Sequence, residues 1–132
     1  RQFVAHHENA GTIFNRYLYY SIAQLSQSAA CNRSHRVDVR LARWLLTTQD
    51  CAHSNLFTMT HQFLAYMLGV RRAGVSEAAQ LLQSAGLISY SRGQISVLDR
   101  SALEAKACGC YEALRHTYQS TMRVGRPRMR AA

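Results

Sequence analysis

The feature that most constrains the fold of this sequence is a pair of short helical patterns joined through one glycine, within residues 60–85. Thr60 is a favourable N-cap, and Gly69 can take the left-handed conformation that ends a helix. The apolar positions of the first pattern recur at helical spacing, at Phe63, Leu64, Met67 and Leu68. The second pattern, over residues 72–85, has a stripe of its own, formed by Val75, Ala78, Ala79 and Leu82. Two helices joined by so tight a turn have helix-turn-helix spacing.

A β-hairpin pattern follows directly, over residues 87–98. Two alternating segments flank residues 91–94, where Gly93 permits the positive φ of a tight turn. A hairpin placed after such a helix pair predicts a winged helix-turn-helix. In that fold the second helix enters the major groove of DNA, and the hairpin tip, here with Arg92, reaches a flanking phosphate. Residues 56–60 also alternate, and they predict one more short strand.

Residues 9–34 predict one long helix with an apolar seam. Its positions recur at steps of three and four residues, as in a coiled coil, at Phe14, Leu18, Ile22, Leu25 and Ala29. A narrow stripe on so long a helix needs a partner to cover it. Either the helix pairs with its copy in a parallel homodimer, or it packs on an upstream domain or on its own domain. Both can hold, because the apolar face is widened by Tyr17, Tyr19 and Tyr20.

Two more helices are predicted around this unit. The first covers residues 34–49 and has an apolar face formed by Val37, Leu41, Trp44 and Leu45. Its other face carries Arg36, Arg40 and Arg43, which form either a solvated row or a row that faces phosphates. The polar residues 50–55 predict a loop. The second helix is predicted from its N-cap Asp99 to Met122.

The charge of the chain favours a nucleic-acid partner. Among its 132 residues, sixteen Lys and Arg stand against seven Asp and Glu, which gives a net charge of +9. All sixteen except Lys106 are arginines, whose planar forks suit phosphates and base edges. Residues 123–132 predict a basic, disordered tail that adds affinity for phosphates. The alternative for that tail is a minor-groove contact, because Gly125–Arg128 resembles the core of an AT-hook.

The cysteines predict neither a metal site nor a cofactor site. They are Cys31, Cys51, Cys108 and Cys110, and no pair has CxxC spacing. On one continuous helix, Cys108 and Cys110 would point about 200° apart. We therefore expect free thiols, with a metal or redox site and a disulfide as lesser alternatives. His6 and His7 have no third ligand at a suitable spacing and are expected to face solvent.

The chain resembles the C-terminal part of bacterial regulators of the cyclic-AMP receptor protein and fumarate-nitrate regulator (Crp/Fnr) superfamily. The resemblance covers about residues 9–120, and it rests on the stretches Val37–Leu46, Phe57–Val75 and Leu81–Asp99. It implies a homodimer that binds near-palindromic sites on double-stranded DNA, with RNA polymerase as a further candidate partner. It also implies a place in the bacterial cytoplasm, at the nucleoid.

The expected fold is mainly α with a small β-hairpin, and three segments are predicted. Residues 1–35 form a dimerisation helix, which continues the link to an effector domain outside this chain. Residues 36–122 form the winged helix-turn-helix, and residues 123–132 form the tail. The chain begins at Arg1 rather than Met, so we expect it to be part of a longer protein.

The resemblance also assigns roles to residues of the helix pair. Thr60 and Gln62 take the places of phosphate contacts, and Arg72 takes that of a base-reading arginine. Where well-known members continue with Glu and a second Arg, this chain has Ala73 and Glu77, so its operator should differ from theirs. The candidate base-reading residues are Arg72, Ser76, Glu77 and Gln80. The candidate contacts to the DNA backbone are Thr60, His61, Gln62, Arg71 and Arg92.

Other classes of function fit the sequence less well. We expect no enzyme, because the chain has no glycine-rich phosphate loop and no paired arrangement of acidic residues. A protein-interaction module, in which the winged helix contacts proteins rather than DNA, is the alternative. No apolar run approaches the roughly 18 residues that a membrane span needs, so we expect no membrane partner.

Overall fold

The computed structural model describes the backbone of residues 2–122 and the side chains of residues 10–122. The predictions for the tail 123–132 and for the side chains of His6 and His7 lie outside this part. The elements in chain order are α1 (Gln2–Ser34), α2 (Val37–Ala52), β1 (Leu56–Thr58), α3 (His61–Leu68), α4 (Arg72–Ser84), β2 (Ile88–Ser91), β3 (Gln94–Val97), α5 (Arg100–Lys106) and α6 (Cys110–Met122). The fold is mostly helical with a small antiparallel sheet, as predicted. Within the described residues, no helix has the length and hydropathy that a membrane span requires.

The core lies between α2, α3, α4 and the sheet. The predicted stripe of α4 is confirmed, because Val75, Ala78, Ala79 and Leu82 are all buried. They pack with other buried side chains, among them Leu41, Leu45, Leu46, Leu64, Leu68 and Ile95. The predicted stripe of α3 is only half right. Phe63 and Met67 are about half exposed, since α3 has just eight residues and faces the core along one narrow line.

The hairpin is confirmed, and the sheet has one strand more than the hairpin. Its order is β1-β3-β2, and both pairs are antiparallel. Arg92 (φ 49°) and Gly93 (φ 80°) form the two-residue turn between β2 and β3, and both have the positive φ of a type I′ turn. Phe57 of β1 lies opposite Ile95 of β3, and both side chains face the core. The sequence pattern indicates β1 but not its place beside β3.

The long helix α1 is confirmed, and it begins at Gln2 rather than near residue 9. One face of its C-terminal half packs on α6, where Tyr20 and Tyr118 meet edge to face with their ring centroids 5.2 Å apart. The predicted seam lies on another face. Its five members are exposed in the single chain, with Phe14 at 59% and Leu25 at 71%. The helix thus packs on its own domain and still leaves the seam uncovered.

Two of the three arginines in the α2 row are buried, so they are neither solvated nor facing phosphates. Arg40 and Arg43 are each only 4% exposed, whereas Arg36 lies at the surface. The guanidinium of Arg40 donates to Asn32 Oδ1 at 2.8 Å and to the backbone oxygen of Leu68. A cation at the ends of two helices complements their dipoles and their unsatisfied carbonyl oxygens, which explains why this charge is buried.

The bounds of α2 differ slightly from the prediction. It begins at Val37 rather than residue 34, and it continues through Asp50–Ala52, where the polar sequence predicts a loop. His53 then ends the helix in the left-handed conformation, with φ 51°. The extension places Asp50 where it accepts hydrogen bonds from Arg100 and Tyr111, at 2.8 Å each. Tertiary contacts therefore override the polar local sequence.

The single helix predicted from Asp99 to Met122 is wrong, because the structure has two. Asp99 does cap the first, accepting a hydrogen bond from the Ala102 N–H at 2.9 Å. Ala107 then takes an extended conformation (φ −68°, ψ 157°), and α6 begins only at Cys110. Gly109, a poor helix former, lies in the break. The apolar periodicity continues across the break and hides it from the sequence.

Candidate nucleic-acid interface

The N-terminus of α3 forms the first part of the candidate interface. Thr60 is confirmed as its N-cap, since its hydroxyl oxygen accepts from the Phe63 N–H at 3.1 Å. Gln62 is exposed in the first turn. The N–H groups and positive dipole end of a helix favour an anion, and a phosphate oxygen is the anion that DNA presents.

The tip of the wing lies beside this helix start. The Met59 N–H, one residue before Thr60, donates to the Gly93 carbonyl oxygen at 2.7 Å. Thr58 lies opposite Gln94 in the sheet register. Strand β1 therefore connects the wing tip to the start of α3, and exposed Arg92 lies in the same turn as Gly93.

The turn between α3 and α4 brings in the second helix. Gly69 has the predicted left-handed conformation (φ 61°), and the Val70 N–H closes the turn on the Ala65 carbonyl oxygen at 3.1 Å. Arg71 is the N-cap residue of α4, and its side chain makes no capping hydrogen bond. Exposed side chains of α4 include Arg72, Glu77 and Gln80.

His61 and Ser76 connect the two helices instead of facing outward. His61 Nδ1 lies 2.8 Å from Ser76 Oγ, and the imidazole stacks on Tyr90 of β2 with 4.2 Å between ring centroids. Both residues are partly buried. Burial, and secondly the charge of Arg72, lower the pKa of His61. The pair thus ties α3, α4 and the wing together, a role that the sequence did not indicate.

The arginines of this surface have no acidic partner among residues 10–122. The ion pairs found among residues 10–122 involve Arg36, Arg100 and Lys106, and none involves Arg71, Arg72 or Arg92. Glu77 is the one acidic residue in the sequence between positions 51 and 98. The surface therefore offers three guanidinium groups to an external anion, with one carboxylate among them.

Two supporting contacts were missed in the sequence. Gln83 Oε1 accepts from the Tyr90 N–H at 2.8 Å and so joins the end of α4 to β2. Arg40 joins α1 to the last carbonyl of α3 through its contacts with Asn32 and Leu68. Neither contact can be recognised from the neighbouring sequence, because a glutamine on the polar face of a helix and an arginine in a basic row are typical of exposed positions. Only the tertiary fold shows what they contact.

The helix pair, the wing and the tight glycine turn define a winged helix-turn-helix protein. Within that class, the chain belongs to the family of Crp-like helix-turn-helix domains, which it matches over residues 39–106. A comparison with curated proteins finds no match.

Solved structures agree with this family. A regulator assigned to the Crp/Fnr family from Eubacterium rectale is 29% identical, with a TM-score of 0.57 over 60% of this chain and 37% of its own. A Crp-family transcriptional regulator from Thermus thermophilus is 26% identical, with a TM-score of 0.62 over 70% of this chain and 51% of its own.

The catabolite activator protein of Thermus thermophilus shares the fold, at 24% identity and a TM-score of 0.53 over 83% of this chain and 50% of its own. The chain thus spans about half or less of the length of the structures that it matches.

Proposed function

We propose that this protein binds specific DNA sites as a homodimer and regulates transcription from near-palindromic operators. Arg72, Ser76, Glu77 and Gln80 are the candidate base-reading residues, and Thr60, His61, Gln62, Arg71 and Arg92 are the candidate backbone contacts. Such a regulator works at the bacterial nucleoid, in the cytoplasm. RNA polymerase is the further partner that the family resemblance implies.

The observation that supports this proposal best is that arginine side chains and the backbone N–H groups of two helix starts lie on one surface. The start of α3, the start of α4 and the wing tip meet there, and Arg71, Arg72 and Arg92 have no ion-pair partner within residues 10–122. A duplex offers phosphates on both sides of a groove, with base edges between them. The start of α3 and the wing tip can contact the flanking phosphates, while α4 between them faces the base edges.

The geometry also ranks the candidate residues. Exposed Arg72, Glu77 and Gln80 have side chains available to base edges. Ser76 already donates to the Arg72 carbonyl oxygen at 3.2 Å, and it lies beside His61. Both side chains are therefore already engaged in contacts within the fold. We expect these two to contribute mainly by holding α4 in place.

The homodimer rests on the seam of α1. Its apolar side chains are exposed although the opposite part of the helix packs on α6, so the two interpretations of this helix are compatible. A coiled coil formed by two copies would cover the seam, and it would relate two winged helices by a two-fold axis. Near-palindromic operators match that symmetry.

A protein-interaction module is the second candidate, and one observation favours it. Phe63, Tyr66 and Met67 share one face of α3 at i, i+3 and i+4 spacing, and they are 45%, 77% and 49% exposed. Aromatic and methionine side chains are enriched at protein interfaces. This face lies on the supporting helix rather than on α4, so it can serve a protein partner while α4 reads DNA.

Selection of bound sequences from a random DNA pool tests the proposal. We expect an enriched motif with two related half-sites, centred about 10 base pairs apart or a multiple of that distance. Binding should weaken steeply as the salt concentration rises, because phosphate contacts release counterions. A chain that enriches no motif and binds DNA only weakly, yet is folded, would favour the interaction module.

A further inference from the structure

Four potential metal ligands meet where α1 ends and α6 begins. We call them the thiol–imidazole cluster, and its members are Cys31, His35, Cys108 and Cys110. Their ligand atoms all lie within 4.8 Å of one another. Cys31 Sγ is 3.6 Å from Cys108 Sγ, and Cys110 Sγ is 3.8 Å from His35 Nδ1.

The break between α5 and α6 produces this cluster. Cys31 lies in the last turn of α1 and His35 directly follows that helix, where its N–H donates to the Cys31 carbonyl oxygen at 3.1 Å, so the two residues share one face of this turn. On a continuous helix, Cys108 and Cys110 would diverge, as the sequence predicts. Because the chain leaves the helix at Ala107, both sulfur atoms turn toward α1 instead. The expectation of separated thiols is wrong for this physical reason.

We propose that the thiol–imidazole cluster binds one zinc ion in a tetrahedral site. Zinc–sulfur bonds of about 2.3 Å and zinc–nitrogen bonds of about 2.0 Å, at tetrahedral angles, separate two sulfurs by about 3.8 Å and a sulfur from a nitrogen by about 3.5 Å. The observed 3.6 Å and 3.8 Å match these edges to within about 0.3 Å. Three cysteines and one histidine form a common ligand set for structural zinc.

The identity of the ion follows from the ligands and from their spacing. Thiolate sulfur and imidazole nitrogen favour zinc over the oxygen-seeking ions magnesium and calcium. An iron–sulfur cluster needs its cysteines spread around several iron and sulfide atoms. Ligand atoms within 4.8 Å of one another leave room for a single ion between them.

The surroundings of the cluster suit a bound metal. Cys31, Cys108 and Cys110 are buried, and Val39 packs against them, so solvent has little access to the sulfurs. The Gln27 side-chain amide donates to Cys110 Sγ at 3.0 Å, the kind of outer contact that orients a metal ligand. Zinc with three thiolates and a neutral imidazole carries one negative charge. The guanidinium of buried Arg40, which donates to Asn32 next to Cys31, offers a positive charge that would offset it.

A zinc ion here would fix the helix α1 to the domain that carries the candidate DNA surface. Cys31 lies in the last turn of α1 and His35 directly follows it, whereas Cys108 lies in the link before α6 and Cys110 is the first residue of α6. Binding deprotonates the three thiols and closes a ring between these segments, so it stabilises the folded chain. The proposal concerns metal binding alone, and it stands whether or not the protein binds DNA.

Metal analysis of the full chain, purified under reducing conditions and loaded with zinc, tests the site. We expect one zinc per chain. Replacing zinc by cobalt(II) should give the visible absorption of a tetrahedral ion and a charge-transfer band from thiolate sulfur. Cys108→Ser and His35→Ala should each weaken zinc binding by more than about 100-fold, because loss of outer-shell partners alone costs 10- to 100-fold. Chelation should lower the unfolding temperature of the wild-type chain.

Matched controls separate the cluster from other thiols and imidazoles. Cys51→Ser removes an exposed thiol, and His53→Ala an imidazole, neither of which belongs to the cluster. Both should retain one zinc. Two results with the wild-type chain alone would overturn the proposal. One is that the reduced chain takes up no zinc, and the other is that the cobalt-loaded chain has the absorption spectrum of an octahedral ion. A Cys108→Ser chain that keeps its circular dichroism spectrum and binds zinc like the wild type would also overturn it.

Discussion

His61 Nδ1 and Ser76 Oγ lie 2.8 Å apart, and this contact joins the two helices of the helix-turn-helix. Ser76 Oγ also lies 3.2 Å from the Arg72 carbonyl oxygen, to which the hydroxyl can donate while its oxygen accepts from an Nδ1–H of His61. The other nitrogen, Nε2, is buried and has no hydrogen-bond partner in the described structure. Protonation would place a charge at that buried atom.

The stability of the fold should therefore depend on the protonation of His61. Its pKa in the folded chain lies below the ordinary 6.5, because of burial and then the charge of Arg72. As the pH falls through about 6.5, the unfolded chain takes up this proton before the folded chain does. The stability that neutral His61 contributes is complete above that pH, and it declines as the pH falls toward the folded pKa.

Urea unfolding of the wild type and of His61→Phe, between pH 7.5 and pH 5, measures this dependence. We expect the free energy of unfolding to fall more in the wild type, since phenylalanine keeps a ring against Tyr90 but does not titrate. His116→Phe, at an exposed position, is the control and should behave like the wild type. Parallel pH profiles for wild type and His61→Phe would contradict the assignment.

The buried Arg40 should be a structural residue. Arg40→Met keeps much of the side-chain length but loses the hydrogen bonds to Asn32 and to the Leu68 carbonyl oxygen. Hydrogen bonds from a charged group are each worth about 1.5–3 kcal/mol, so we expect a loss of at least about 2 kcal/mol in the free energy of unfolding. Arg33→Met, at an exposed position of α1, should cost less than about 0.5 kcal/mol. Equal losses in the two variants would disprove the role.

The seam of α1 should hold the dimer. Leu18→Lys combined with Leu25→Lys places charges at two exposed seam positions, and we expect the dimer dissociation constant to rise at least about 100-fold. Analytical ultracentrifugation measures this, with Leu98→Lys, an exposed leucine outside α1, as the control. A doubly substituted chain that sediments as a dimer, like the control, would place the interface elsewhere.

Local signals predicted the helix-turn-helix well. Thr60, Gly69, Gly93 and Asp99 each act through contacts with residues next to them in sequence, and all four have the predicted roles. Each of these roles depends on the backbone conformation of a single turn, and the type of residue at the position largely determines that conformation. The sequence therefore indicates most of the unit that carries the candidate DNA surface.

Several of the errors concern contacts between residues distant in sequence. The burial of Arg40 depends on Asn32 and Leu68, the convergence of Cys108 on Cys31 spans 77 positions, and β1 joins a strand nearly forty residues later. Periodicity describes one element at a time and contains no information about what a polar side chain meets across the core. An arginine in a basic row and a cysteine in an apolar stripe thus look like ordinary helix residues.

Binding to two DNAs tests whether Arg72 reads bases while Arg92 and Gln62 contact the DNA backbone. Fluorescence anisotropy would compare wild type, Arg72→Ala and Arg92→Ala on the selected operator and on random duplex, at fixed salt. Arg72→Ala should lose about 1–3 kcal/mol on the operator and little on random DNA, because a base contact carries sequence information. Arg92→Ala should weaken both DNAs alike. If Arg72→Ala weakens binding to both DNAs equally, Arg72 contacts phosphate rather than bases, and its proposed base-reading role is wrong.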